Sequence, residues 1–163
     1  MELKVRGRSK YLSKPLTKKA ITFYAEKLMT PRLIESLTID ILYVPHIELG
    51  DSVGQCTPIY DQFVPKDFEI YIANDITKKN TLLSLAHEMV HVKQYARGEL
   101  YEYARKPHLS RWKDKIWEDF ERQGDEYWFL PWEIEAHGYE KGLATVFSRH
   151  MYRQGTPLFK TTK

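Results

Sequence analysis

The chain has 163 residues, enough for one domain with a real core, and its 42% hydrophobic and 13% aromatic content excludes wholesale disorder. Its single cysteine, Cys56, excludes an intramolecular disulfide and a Cys-rich zinc site. No early apolar run resembles a signal peptide, and none reaches the roughly 18 residues needed to span a bilayer, so the expectation is a soluble, cytoplasmic protein with no membrane partner.

The net charge of +3 is mild but uneven: Lys4, Arg6, Arg8, Lys10, Lys14, Lys18 and Lys19 stand against one acid, Glu2, at the start of the chain. Residues 1–14 therefore read as a loose basic arm, either solvated or in contact with nucleic-acid phosphates. The spacing of Leu16, Ala20, Phe23 and Leu28 predicts a helix over 15–29 with Thr17 as a possible cap, and Pro31 breaks or restarts it. Alternation of Leu37, Ile39, Ile41 and Tyr43 predicts a strand over 37–44, followed by a loop to 52. A weaker strand over 53–60 carries Gly54 and Pro58 and belongs at a sheet edge. The best strand is 68–73, FEIYIA. Its Tyr71 is expected at an edge that could pair with an extended peptide.

Residues 81–98, TLLSLAHEMVHVKQYARG, form the centre of the pattern. Leu82, Leu85, Met89, Val92 and Ala96 share one helical stripe, with His87, His91, Ser84 and Gln94 roughly opposite. Asn80 or Thr81 offers an N-cap and Gly98 a stop. The stretch 99–132 holds all four Trp, with a hairpin turn expected at Lys113-Asp114 between short strands around Arg111 and Ile116. Pro131 suits the first position of a second helix, which is expected to run to 152. The tail from 154 is expected to be loose.

His87-Glu88-Met89-Val90-His91 matches H-E-x-x-H. Residues four apart on a helix share a face, so His87 and His91 can hold one metal ion between them. Their nitrogens suit Zn²⁺, and Glu88 is placed to take a proton from a metal-bound water. A catalytic zinc usually has three protein ligands. The candidates for the third are His108, Glu133, Glu135 and His137. On the second helix Ala136, His137, Glu140, Ala144 and Phe147 fall within about 60° of Glu133, while Glu135 falls opposite. Glu133 and His137 are thus expected to face the first helix together, and Glu135 to face solvent.

H-E-x-x-H followed by a helical E-x-x-A, here Glu133-Ile134-Glu135-Ala136, resembles the gluzincin metallopeptidases. That resemblance implies His87, His91 and Glu133 as ligands of one zinc ion and Glu88 as general base. It also implies a zincin-like α+β fold: a single domain over 1–163, with a three- to four-stranded sheet packed on the H-E-x-x-H helix and a second ligand-bearing helix. His137 stands where thermolysin-type members carry an Asp that bonds a ligand His, so it departs from the pattern. It could accept a ligand N–H, bind metal directly or donate to an oxyanion.

HEMVHVKQY at 87–95 and PWEIEA at 131–136 are also similar to small SprT-like proteins of bacteria and phages, and the E-x-x-A segment to the ImmA/IrrE type. Typical SprT members use a downstream His and a C-terminal Cys ribbon. The ribbon is missing here, and His108 competes with Glu133 for the third ligand position. Lys93 is a further mismatch, expected to snorkel.

The expected function is a zinc-dependent metallopeptidase acting on polypeptide, with His137, Tyr127 or Tyr139 as oxyanion donor. Two other readings stand beside it. One is a non-catalytic zinc-binding regulatory or DNA-associated module. The other is a deformylase-type amidohydrolase with Cys56 as a ligand, although Gly54-Gln55-Cys56-Thr57 lacks the Glu and Leu of that family's motif.

Overall fold

The computed structural model describes residues 1–103, 105–106, 109–118 and 124–159. It is an α+β protein with a four-stranded sheet in the order β1 (Glu2–Arg6), β2 (Thr38–Val44), β4 (Asp67–Ala73), β3 (Gly54–Pro58). β1, β2 and β4 are parallel, and β3 runs antiparallel along the edge of β4. Parallel neighbours need a crossover. Helices α1 (Lys14–Leu28) and α2 (Pro31–Glu35) supply the one between β1 and β2.

The opening residues correct the expectation of a loose basic arm. In ELKVR, Leu3 and Val5 turn toward the core while Lys4 and Arg6 alternate outward, where Arg6 pairs with Asp40 at 2.7 Å and Lys4 with Glu2 at 2.8 Å. The charge count hid a period-two pattern. The cap of α1 is also displaced: Ser13 Oγ accepts from the Leu16 N–H, while Thr17 is buried and its hydroxyl meets Tyr43 Oη at 2.7 Å.

Ile39, Ile41 and Tyr43 of β2 and Phe68, Ile70 and Ile72 of β4 form the buried face of the sheet. They pack into one core with Ile21 and Tyr24 of α1 and with Leu85 and Met89 of α3 (Lys78–Ala96). Burying each such side chain stabilises the fold by roughly 1.5–3 kcal/mol, which is why alternation in β2 and β4 dictates register. β3 lies at an edge of the sheet, as Gly54 and Pro58 imply. Tyr71 lies instead on β4, paired on both sides, so no peptide can add there.

The stripe Leu82, Leu85, Met89, Val92 and Ala96 is buried throughout. α3 starts earlier than expected, with Thr77 Oγ1 accepting from the Asn80 N–H. It ends in a Schellman motif in which Glu99 N–H donates to Gln94 O and Gly98 N–H to Tyr95 O, with Gly98 at φ 67°. Beyond it, β5 (Leu100–Glu102), β6 (Leu109–Trp112) and β7 (Lys115–Glu118) make a second, antiparallel sheet, turned at Lys113-Asp114 as expected. Helix α4 (Pro131–Arg153) begins at Pro131 and lies along α3. Among the described residues no helix is long and apolar enough to cross a membrane.

Candidate metal centre

The polar face of α3 is covered rather than solvated. α4 packs against it, β3 crosses it, and Glu88, His91, Lys93 and Gln94 are all buried. The small side chain of Ala136, fully buried, lets the helices approach where Glu133 enters. Glu133 and His137 both turn toward α3, as their shared helical face implies.

Three ligand-type groups converge. His91 Nε2 lies 3.1 Å from His87 Nε2, His87 Nε2 lies 3.3 Å from Glu133 Oε2, and His91 Nε2 lies 3.5 Å from Glu133 Oε1. Ligand atoms held tetrahedrally 2.0–2.2 Å from a zinc ion would lie roughly 3.3–3.6 Å apart. Glu133 Oε2 is buried without a hydrogen-bond partner. An orphaned buried carboxylate oxygen facing two ring nitrogens fits a cation between them.

The far side of each ring is held as well. His87 Nδ1 meets Glu140 Oε2 at 3.0 Å, and His91 Nδ1 meets Gln94 Oε1 at 2.8 Å. The Gln94 amide is oriented by its Nε2, which donates to Trp132 O and Glu135 Oε2, both at 2.9 Å. Its oxygen must then face His91, so His91 donates from Nδ1 and turns its Nε2 lone pair to the centre. Glu140 is an acceptor and does the same for His87. These two partners complete the support that metal-binding imidazoles normally receive.

Glu135 does not face solvent. Lys93 Nζ bonds both of its oxygens at 2.9 Å and Glu99 Oε2 at 2.8 Å. Lys93 does not snorkel; it ties α3 to α4 as a buried ion cluster, and Glu135 orients Gln94 rather than approaching the centre. His108 lies outside the described residues.

His137 sits at the rim. Its ring lies 4.5 Å from that of His87 and 4.9 Å from that of Trp128, and its Nδ1 is 3.3 Å from Glu140 Oε2. Ligand-type atoms of His87, Glu133 and His137 all lie within 4.8 Å of one another. Two triads thus share His87 and Glu133: a tight one closed by His91 and a wider one closed by His137. Of the two tyrosines considered as oxyanion donors, Tyr127 lines the cleft and reaches the Glu133 carboxylate, whereas Tyr139 is not among the lining residues.

Glu88 is pressed beneath β3. A Cβ on Gly54 would lie only 2.6 Å from Glu88 Oε1, and the Cys56 backbone N–H donates to the Glu88 carboxylate. Burial raises the Glu88 carboxyl to about 7; the charges of Glu133 and Glu140 add to that, against His87 and the Cys56 N–H. Burial works against a charged His87, but the Glu133 carboxylate beside it and its bond to Glu140 outweigh that and push the ring up to about 10. Burial holds His91 below its ordinary value. Burial also opposes ionisation of Glu133, but the two histidines win and its carboxyl is held low. The centre opens on a cleft of about 700 Å³ lined by His87, Glu88, Gly54, Tyr127, Trp128 and His137, among others.

The sequence pointed to His87, Glu88, His91 and Glu133, and the fold brings these together. Glu140, Gln94 and Gly54 were missed as functional residues. Glu140 could have been found: Glu133, His137 and Glu140 stand at i, i+4 and i+7, all on one helical face. Comparison with protein-family models, curated protein sequences and solved structures finds no match to this chain.

Proposed function

We propose that this protein is a zinc-dependent peptidase of gluzincin type with a zincin-like fold, similar in its motifs to small SprT-like and ImmA/IrrE-like proteins. The observation that carries the proposal is the convergence of His87 Nε2, His91 Nε2 and the Glu133 carboxylate within 3.5 Å, next to a buried Glu88. Those three side chains would hold one zinc ion. When bound, the metal supplies Lewis acidity that makes a water acidic near neutral pH and polarises a carbonyl.

The protein's own groups divide the remaining work. Glu88, with a carboxyl raised to about 7, accepts a proton from the attacking water and passes it to the leaving amine. Cys56 N–H and the close backbone of Gly54 fix that carboxylate. His137 and Tyr127 line the cleft and can donate to the oxygen that gains negative charge. β3 is a free sheet edge whose Gly54 lines the same cleft, which suits an extended polypeptide better than the interior strand carrying Tyr71. Deformylase chemistry with Cys56 as a ligand is disfavoured. Cys56 uses its backbone N–H on Glu88, and burial pushes its thiol well above its ordinary value, away from the thiolate a metal needs.

The zinc-loaded wild type should hydrolyse unstructured polypeptide such as denatured casein, and Glu88→Gln should abolish this while keeping the metal. Full activity in Glu88→Gln would overturn the mechanism. A non-catalytic zinc module is the second reading, favoured by His137 lying close enough to complete a four-ligand site. It predicts zinc retention with no hydrolysis by the wild type.

A further inference from the structure

The cleft does not end at the metal centre. Leu83 and Glu140 line both it and a second groove of about 880 Å³ that runs between the start of α3 and the last turns of α4. The floor of this groove is apolar, with Leu82, Leu83 and Ala144. Its far wall is the segment after α4, folded back by a Schellman motif in which Thr156 N–H donates to Met151 O and Gly155 N–H to Tyr152 O. Lys78 Nζ clamps that wall at Leu158 O, 3.3 Å away, and Leu158 is buried.

The rim is basic. Lys79, Lys141, Arg149 and Arg153 line it, all are exposed, and among the described residues none takes part in an ion pair. The one acid of the lining is Glu140, which is already engaged by His87 and His137. The residues that follow in the sequence, Lys160-Thr161-Thr162-Lys163, are themselves basic and do not complement the rim.

We propose that this groove is a substrate-docking site for a polypeptide segment that alternates acidic with large apolar side chains. The proposal rests on the peptidase reading, because the groove shares Leu83 and Glu140 with the cleft where Glu88 sits. Acidic side chains would meet the four free cations, and apolar ones would cover the Leu82–Leu83–Ala144 floor. A nucleic acid fits less well. Its phosphates repeat at every residue and would run on into a cleft holding Glu88, Glu133 and Glu140, whereas a polypeptide can be acidic in the groove and neutral at the bond to be cut.

The test uses zinc-loaded full-length Glu88→Gln protein, so that binding is read without turnover. Two fluorescein-labelled peptides are compared by anisotropy at low salt: one alternating Glu with Leu and Phe, and one with every Glu replaced by Gln. The Glu peptide should bind roughly tenfold tighter, and Arg149→Glu or Arg153→Glu should each weaken it several-fold. Both positions are exposed, so either variant alone suffices if the other folds poorly. Equal affinity for the two peptides, or affinity untouched by both reversals, overturns the proposal. So does a single-stranded oligonucleotide that displaces the Glu peptide and binds tighter than it. Failure of the peptidase reading has a different signature: the wild type cleaves neither peptide, while the charge preference in binding persists. Cleavage of both peptides with equal kcat/KM keeps that reading and removes the groove.

Discussion

Glu140 Oε2 lies 3.0 Å from His87 Nδ1, and this contact decides which nitrogen of His87 faces Glu133. A carboxylate can only accept, so Nδ1 keeps its proton and, once His87 is neutral, Nε2 is the nitrogen left for the centre. Gln94 performs the same service for His91. Loss of such partners typically weakens metal affinity by about 10–100-fold. Glu140→Ala and Gln94→Ala should each fall in that range by competition with a chelator. Glu140→Gln keeps an acceptor and should lose less; equal losses for Gln and Ala would mean that Glu140 acts only through its charge.

Zinc uptake should release about one proton near neutral pH. In the metal-free protein His87 is pushed up to about 10 and is charged, whereas His91 is held below its ordinary value and Glu133 is already ionised. Of the three ligands, only His87 must give up a proton to bind metal. Around neutral pH, where His91 is already neutral, apparent affinity should therefore rise roughly tenfold per pH unit, as far as zinc hydrolysis allows. Calorimetry in buffers of different ionisation enthalpy reads the proton count. A value near zero or two would contradict the tautomers and charges assigned to the pair.

Glu88 makes the metal-free fold sensitive to pH in a definite direction. Its folded-state carboxyl is raised above the ordinary 4.5 to about 7, so its favourable contribution is fully present below 4.5 and is lost as pH rises through 7. Gln at this position does not titrate. In urea unfolding of the metal-free proteins, the stability of Glu88→Gln relative to wild type should increase by roughly 1–3 kcal/mol between those limits. A gap that stays constant with pH would show that Glu88 is not desolvated in the native state.

Gly54→Ala separates positioning of the base from binding of the metal. The added Cβ would meet Glu88 Oε1 at 2.6 Å, so the carboxylate must shift away from the Cys56 N–H. His87, His91 and Glu133 are not touched. Zinc content should stay at the wild-type level while hydrolysis drops on the order of 10²-fold, the penalty for misplacing a catalytic group by about 1 Å. Concurrent loss of zinc would point to a collapse of the centre instead.

Much of the site was legible because its residues lie on two helices with strong periodicity. The buried stripe from Leu82 to Ala96 oriented His87 and His91, and Pro131 placed Glu133 and His137 in the first two turns of α4. What failed was charge read without context. Lys4 and Arg6 were counted as part of an arm, yet Leu3 and Val5 between them make a strand that completes the sheet. Lys93 and Glu135 each looked like a solvated charge, yet they neutralise one another across the α3–α4 contact. Pairing of this kind joins residues far apart in the chain and has no local signature. The contact of Gly54 with Glu88 is of the same type: Gly54 read as a weakness in a strand, and the missing side chain leaves room for the Glu88 carboxylate.

Glu133 is proposed to complete a three-residue zinc site with His87 and His91. That assignment is tested most directly by zinc content per chain, measured by mass spectrometry on purified wild type, Glu133→Ala and His137→Ala after dialysis against zinc-free buffer. Wild type should carry one zinc, Glu133→Ala essentially none, and His137→Ala one. Zinc retained in Glu133→Ala and lost in His137→Ala would contradict that assignment and move the third ligand to His137.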